Sequence, residues 1–189
     1  NEQIIKPEDA GFASGSYTGQ QEFQNFQTTW GWKAFYKTTE AQTSKVWGRW
    51  TPQLLASGKY EIAAFVPGRH STSQNARYKI NSIKGSTSEA IVNLNQSRYS
   101  NEWVTLGIYE LDKATIGAGT VFLNDLTGET DREIVFDALR YRQLLPSPPT
   151  GGGSPGTNVA DGFDSPVGTD TERQSASVWP GSWVDASPF

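Results

Sequence analysis

The side chains best suited to chemistry in this 189-residue chain are a few carboxylates and one histidine. Glu129, Asp131 and Glu133 alternate with other residues, so on a strand they would share one side. General acid and base catalysis needs two carboxyls held in a formed cleft. Since a turn between strands offers no such cleft, these residues are predicted to form a solvated hairpin tip.

The same segment also contains hard oxygen donors that suit a calcium ion. Asn124, Asp125, Glu129 and Asp131 are therefore candidate calcium ligands, although their spacing matches no EF-hand loop. Apart from this ion, the sequence predicts no cofactor.

Other catalytic side-chain sets are excluded by composition. The chain contains no cysteine and only one histidine, which excludes disulfides, cysteine nucleophiles, cysteine-based zinc sites and multi-histidine metal sites. No G-x-S-x-G motif is present to supply a serine nucleophile. His70 lies in a predicted loop and is expected to be a surface residue, so the chain is predicted to be non-catalytic.

Aromatic residues are the better candidates for ligand binding. Residues 30–36 read Trp-Gly-Trp-Lys-Ala-Phe-Tyr, and on a strand Trp30 and Trp32 would point to the same face. Exposed indoles form a flat apolar platform on which sugar rings stack, so Trp30, Trp32 and Tyr36 are candidate ligand-binding residues. The alternative is that both indoles fill the core, and their exposure decides between the two.

The elements that position these residues are predicted to be strands. Apolar and polar residues alternate in several runs separated by turn residues, whereas no run has the 3.6-residue apolar period of a capped helix. The runs are 60–66, 76–80, 92–95, 104–108, 121–123 and 134–141. The sequence therefore predicts an all-β fold, an antiparallel β-sandwich or barrel, with residues 1–145 as its body.

Composition changes sharply after this body. Residues 146–160 are rich in proline and glycine, which is typical of a linker. Residues 161–189 form a short tail with Trp179 and Trp183, which a segment of this size cannot bury alone. The tail is predicted to dock on the body or a neighbouring chain, or to begin a truncated second domain.

Charge and composition also restrict the partners and the compartment. The net charge of −4 gives no broad basic surface for nucleic acid, and no apolar run is long enough to cross a bilayer. The absence of cysteine fits either side of the cell membrane, whereas the polar, glycine-rich composition favours an exported bacterial surface protein. Since the sequence starts at Asn1 without methionine, a processed product or a fragment is expected.

Eight short landmarks occur in an order that resembles a known family. They are residues 47–52, 57–62, 66–67, 75–80, 92–97, 103–107, 119–124 and 135–141. In this order they are similar to the golvesin C-terminal-like domain, which is also found beside the catalytic part of xanthan lyases. The resemblance covers residues 4–141.

The resemblance implies a β-sandwich of jelly-roll, galactose-binding-like type. It also implies a non-catalytic accessory module of secreted bacterial proteins that binds carbohydrate, and it carries over no catalytic residue. Trp47, Trp50 and Trp103 fall on landmarks and are expected in the core. Asp137 is expected to accept hydrogen bonds from loop amides, because a buried carboxylate needs partners.

The tail has a resemblance of its own. Residues 161–168, Asp-Gly-Phe-Asp-Ser-Pro-Val-Gly, are similar to the segment that leads into lysostaphin-type zinc peptidases, which cut peptidoglycan. The zinc-binding motifs of those enzymes, H-x-x-x-D and H-x-H, do not occur in the chain. Any peptidase domain is therefore expected after residue 189.

These expectations combine into one predicted function and one alternative. The chain is predicted to be an extracellular, non-catalytic module that binds polysaccharide or peptidoglycan and targets a downstream peptidoglycan hydrolase. The alternative is a structural subunit of a surface layer or filament that self-assembles through residues 161–189, because an apolar tail can add to a neighbour's sheet or groove.

Overall fold

The computed structural model describes residues 1–145, so the linker 146–160, the tail 161–189 and its two tryptophans lie outside the described residues. The predicted domain boundary near residue 145 stays a prediction. Within residues 1–145 the strands are β1 Glu2–Ile5, β2 Phe12–Ser16, β3 Gln24–Gln27, β4 Lys33–Thr38, β5 Val46–Trp50, β6 Gly58–Val66, β7 Ala76–Ile80, β8 Ala90–Leu94, β9 Glu102–Leu111, β10 Val121–Asn124, β11 Glu133–Phe136 and β12 Leu139–Gln143. A 3-10 turn spans Gln96–Arg98, and no helix in this part of the chain could cross a membrane.

The strands form three sheets in which neighbouring strands run antiparallel. Sheet A has the order β1-β12-β6-β9, sheet B the order β2-β5-β10-β7-β8, and sheet C the order β11-β4-β3. Without β2 and sheet C, the remaining eight strands renumbered in chain order give 1-8-3-6 and 2-7-4-5, the order of a jelly roll. The predicted all-β, antiparallel, jelly-roll sandwich is therefore confirmed.

The core lies between sheets A and B and is filled by alternate residues of their strands. Ile62, Ala64 and Val66 of β6 face Trp50 of β5 and the apolar residues around it, and all four are buried. Burying a side chain such as that of Ile62 or Val66 provides about 1.5–3 kcal/mol. The expectation that Trp50 is a core residue is confirmed.

The same expectation is wrong for Trp47 and Trp103, which are half-buried on outer faces. Trp47 and Trp50 are three residues apart on one strand, so they must point to opposite sides of sheet B. Trp103 pairs with Phe65 across β9 and β6, and both rings lie on the outer side of sheet A. Because side chains alternate along a strand, a family landmark does not by itself indicate the core.

The predicted run 134–141 is two strands in different sheets. β11 ends at Phe136 and β12 begins at Leu139, so Asp137 and Ala138 connect sheet C to sheet A. The segment before β11 likewise crosses from sheet B to sheet C, so the predicted hairpin tip at residues 129–133 is wrong. The polar groups of such buried connecting segments need hydrogen-bond partners nearby, so hydrogen-bonding groups lie close to the sheet surface.

The outer edge of β11 is closed by a side chain. The buried carboxamide of Gln96 donates from Nε2 to the Val135 carbonyl at 3.0 Å, and its Oε1 accepts from the Val135 N–H at 3.0 Å. The N–H groups of Thr72 and Ser73 donate to the Glu133 carbonyl at 3.0 and 2.8 Å. Loop and side-chain groups therefore complete the hydrogen bonding of this strand.

Candidate functional site

Trp30 and Trp32 lie in the turn of the β3–β4 hairpin rather than along a strand. The Thr28 N–H donates to the Trp32 carbonyl at 2.8 Å, and the Gly31 N–H donates to the Thr28 carbonyl at 3.1 Å. Gly31 has a φ of +87°, a backbone conformation that glycine adopts without steric cost. The predicted strand geometry is wrong here, yet the turn still brings the two indole rings to 5.7 Å from each other.

The two indoles belong to an aromatic cluster formed by Trp30, Trp32, Phe65 and Trp103. Phe65 lies at its centre, with ring-centroid distances of 5.4, 5.6 and 5.3 Å to Trp30, Trp32 and Trp103. All three contacts are edge-to-face, an arrangement favoured by the ring quadrupoles. Phe65 is buried, whereas 56% of Trp30 is exposed. The alternative that both indoles fill the core is therefore wrong for Trp30.

Asp137 lies beneath the aromatic cluster and binds one of its rings. Its Oδ1 accepts hydrogen bonds from Trp32 Nε1 at 2.6 Å and from the Ala138 N–H at 2.7 Å, while its buried Oδ2 has no partner in residues 1–145. Burial raises the pKa of the Asp137 carboxyl to about 6, and the bonds from Trp32 and Ala138 act in the opposite direction. One of its two hydrogen-bond donors is a backbone amide, as predicted. The other is the Trp32 indole, and this bond fixes the Trp32 ring beside Trp30.

A row of charged side chains continues the surface along the outer face of sheet A. The Arg140 guanidinium lies 5.0 Å from the centre of the Trp103 ring and donates from Nη2 to Glu61 at 3.2 Å. Arg142 donates to the other oxygen of Glu61 at 3.0 Å. The aromatic cluster is thus bordered by hydrogen-bonding groups, which could orient a sugar that stacks on an indole.

Tyr36 does not join the cluster. It lies on the outer face of sheet C, where the His70 ring stacks on it with centroids 3.7 Å apart. His70 Nδ1 is 3.0 Å from Glu133 Oε2, and its ring is also 4.9 Å from that of Phe26. His70 is therefore half-buried and not the free surface residue that its loop position predicted.

A pocket of about 330 Å³ adjoins the turn that carries Trp30. We call it the loop pocket; its walls include Phe26, Thr29, Arg69, Ser100 and Asn101. Asn101 Oδ1 accepts from Thr29 Oγ1 at 3.3 Å and from a backbone N–H of the β6–β7 loop at 3.0 Å. These bonds connect three loops that are distant in sequence.

The predicted calcium ligands have internal partners. Asn124 accepts from the Leu126 N–H, and Asp125 Oδ1 accepts from the N–H groups of Lys45 and Val46. Glu129 accepts from the Ser73 hydroxyl at 2.7 Å. Asp131 is exposed. Residues 1–145 contain no group of three or more His, Cys, Asp or Glu placed to hold a metal. Calcium binding by these residues stays a prediction.

Comparison with known proteins agrees with this architecture. The Golvesin C-terminal domain matches residues 10–143. The chain belongs to this family. A comparison with curated proteins found no match.

Solved structures of other proteins are similar to this chain. A Paenibacillus xanthan lyase is similar over 76% of this chain and 13% of its own, with a TM-score of 0.60 and 18% identity. This chain thus corresponds to only a small part of that protein. The C-terminal CBM6 of a Zobellia galactanivorans laminarinase aligns over 76% and 100% of the two chains, with a TM-score of 0.48 and 14% identity. A Podospora anserina GH26-CBM35 mannanase aligns over 78% and 29%, with a TM-score of 0.43 and 15% identity.

Sequence reasoning missed most of the residues that surround Trp30 and Trp32 in this candidate site. Phe65, Trp103 and Arg140 were not candidates, because their proximity depends on strand pairing between distant segments. One signal was available. Trp103 and Leu106 are three residues apart in a predicted strand, so they could not both face the core.

Proposed function

We propose that this golvesin domain is a non-catalytic, extracellular carbohydrate-binding module whose ligand stacks on Trp30. The observation that carries the proposal is the exposure of this indole, 56%, on a base of buried or half-buried rings. Trp30 is exposed as part of a contiguous cluster of aromatic rings, and contiguous apolar patches of this kind mark interaction surfaces. Since Phe65 and Trp32 hold the ring, binding needs little loss of side-chain freedom.

The surroundings of Trp30 suit a sugar better than a purely apolar ligand. A sugar ring presents C–H groups on its faces and hydroxyls at its rim, so it needs an apolar plane with polar groups beside it. Trp30 supplies the plane, and the ion-paired side chains of Arg140, Glu61 and Arg142 lie along the same outer face. Polysaccharide and peptidoglycan both present such rings.

We further propose that the domain acts by local concentration rather than by chemistry. A binding module that is joined to an enzyme by a linker raises the concentration of that enzyme at its polymer. The similarity to part of a xanthan lyase is compatible with such a role, and a downstream peptidoglycan hydrolase is the version that the tail sequence suggests.

The test is to replace Trp30 by alanine and to measure retention on polysaccharides. Insoluble cellulose, chitin and purified peptidoglycan are used in pull-down assays, and soluble glucans and mannans in affinity gels. We expect Trp30→Ala to weaken retention on the bound polymer by about tenfold or more, because the stacking plane is lost.

Tyr17→Ala is the matched control, since Tyr17 is 59% exposed and directly follows β2 of sheet B. Its retention should equal that of the wild type, and both variants should keep a cooperative unfolding transition. Equal retention of Trp30→Ala and the wild type would show that the proposed platform is not the binding surface.

A further inference from the structure

The loop pocket contains a cation whose charge is not neutralised within residues 1–145. The Arg69 guanidinium lies 5.6 Å from the centre of the Phe26 ring, and its side chain makes no ion pair or hydrogen bond in this part of the chain. Arg140 and Arg142, by contrast, both bond to Glu61. A guanidinium held against an aromatic ring keeps its five N–H donors in one plane, ready for an acceptor.

The rest of the pocket wall combines polar groups with the apolar side chains of Phe26 and Pro67, and it has no carboxylate. The lining residues contribute the hydroxyl of Ser100 and the amide of Asn101, and none of them is aspartate or glutamate. Glu102 is the adjacent acid, and its Oε1 accepts from the Ser100 N–H at 3.3 Å. The volume of about 330 Å³ lies at the small end of ligand pockets. The pocket therefore suits one small, oxygen-rich, anionic group.

The loops that form the pocket are fixed in a strained backbone conformation. His70 and Asn101 have φ values of 60° and 58°, which are uncommon for residues other than glycine. Such a conformation persists only where surrounding contacts enforce it. Stacking on Tyr36 holds His70, and hydrogen bonds from Thr29 and the β6–β7 loop hold Asn101. The pocket is thus formed before a ligand arrives.

We infer that the loop pocket binds a sugar unit that carries a carboxylate, with Arg69 as its ion-pair partner. A guanidinium and a carboxylate match as a pair of parallel hydrogen bonds, which gives both strength and orientation. This inference rests on the proposed function and adds a ligand class to it. Thr29 lines the pocket and is the neighbour of Trp30, so one polymer can place an acidic unit in the pocket and stack another on the indole.

The overall charge of the protein disfavours acidic ligands away from a local cation. The protein carries a net charge of −4, which repels an acidic polymer in general. Binding of such a polymer therefore depends on a local cation with free donors.

The test compares acidic polysaccharides with their neutral forms. Polygalacturonate, alginate and hyaluronan are each paired with a carboxyl-reduced sample of the same polymer, and affinities are measured by calorimetry at low and moderate salt. We expect the wild type to bind at least one acidic polymer about tenfold more tightly than its reduced form. Arg69→Gln should abolish this preference and leave binding to the reduced form unchanged.

Arg49→Gln is the matched control for charge. Arg49 is also an exposed arginine over an aromatic ring, 5.7 Å from the centre of the Trp47 indole, but it lies on the outer face of sheet B. It should keep the preference for the acidic polymer. The inference is overturned if Arg69→Gln keeps that preference or if the wild type has none.

The two levels of proposal fail differently. If the wild type binds neutral polymers through Trp30 but does not discriminate acidic ones, only the ligand class is wrong. If it binds no polymer, acidic or neutral, the proposed function is wrong as well.

Discussion

The outer faces of sheets A and B carry the same kinds of side chain in different arrangements. On sheet B, Trp47 stacks on Phe122 with centroids 6.3 Å apart, and its ring covers Gly15 of the neighbouring strand. On the sheet A side, a hairpin turn projects Trp30 outward, and buried groups beneath it fix its neighbour Trp32. Each face also has an arginine over an indole.

The difference lies in what each tryptophan does for the sheet. A Cβ on Gly15 would lie 2.6 Å from the Trp47 ring, so this indole fills the space that a side chain would otherwise take. An aromatic ring over a glycine protects the strand pair from water and stabilises it. Trp30 covers no such gap and leaves more than half of its surface in solvent. Composition alone therefore does not separate a structural indole from a binding one, whereas the element that carries it does.

The largest effect is expected for Asp137→Asn, which tests the buried carboxyl beneath the aromatic cluster on the outer side of sheet A. Burial raises the pKa of Asp137 to about 6, above its unfolded value, so the folded state keeps a proton that the unfolded chain has released. This stabilisation is complete below the unfolded pKa and is lost as the pH rises through 6. It amounts to about 3 kcal/mol.

Urea unfolding of the wild type and Asp137→Asn between pH 4 and pH 8 measures this effect. The free energy of unfolding of Asp137→Asn, taken relative to that of the wild type, should increase with pH by about 3 kcal/mol, since asparagine does not ionise. Asp112→Asn is a control of opposite sign, because a backbone N–H from Ala114 and the Ser57 hydroxyl lower the pKa of Asp112. A constant difference for Asp137→Asn would show that folding does not raise the pKa of this carboxyl.

The next effect tests close contact on the sheet B side, through Gly15→Ala. The added methyl group meets the Trp47 ring and must displace it, at a cost of about 2 kcal/mol in unfolding free energy. In a Trp47→Ala background the same change should cost little, because the obstacle is gone. A double-mutant cycle by thermal or urea unfolding gives the coupling. Additive costs would mean that the position of the Trp47 ring does not require glycine at position 15. Polysaccharide retention should be unchanged in all of these variants.

The smallest effect tests the ion pairs beside the aromatic cluster, through Arg142→Gln. Nearly half of the Arg142 side chain is exposed, and Arg140 also bonds to Glu61, so the loss should stay below about 1 kcal/mol and shrink with salt. Unfolding at two salt concentrations measures it. A loss well above this range would show that charge, and not aromatic contact, organises the outer face of sheet A.

The sequence predicts the later strands better than the earlier ones. From Tyr60 onward most strands have the period-two pattern that indicates a half-buried sheet, and the structure contains them. β2 and β3 contain only one large apolar residue each, so no pattern indicates them. The partner of β2 is also distant in sequence, since β2 pairs with β5. The sequence does not reveal that the run 134–141 divides into two strands at Asp137. A single polar residue within an apolar run is also compatible with one continuous strand.

The candidate site is predicted in part and for a partly wrong reason. The spacing of Trp30 and Trp32 suggests one shared face, and a glycine turn rather than a strand produces their proximity. Phe65 and Trp103 meet only because β6 and β9 pair across an irregularity between Ile62 and Ala63. Arg69 gains its pocket from three separate loops, and no local pattern in the sequence reports such a meeting.

The carboxamide of Gln96 has a consequence for how this domain behaves when crowded. It supplies Val135 with the same donor and acceptor that the peptide group of an incoming strand would offer. An edge strand with free N–H and C=O groups is a template for aggregation, and proteins block it in various ways. Here one amide side chain occupies that template, so molecules gathered side by side on a polymer cannot fuse their sheets through β11.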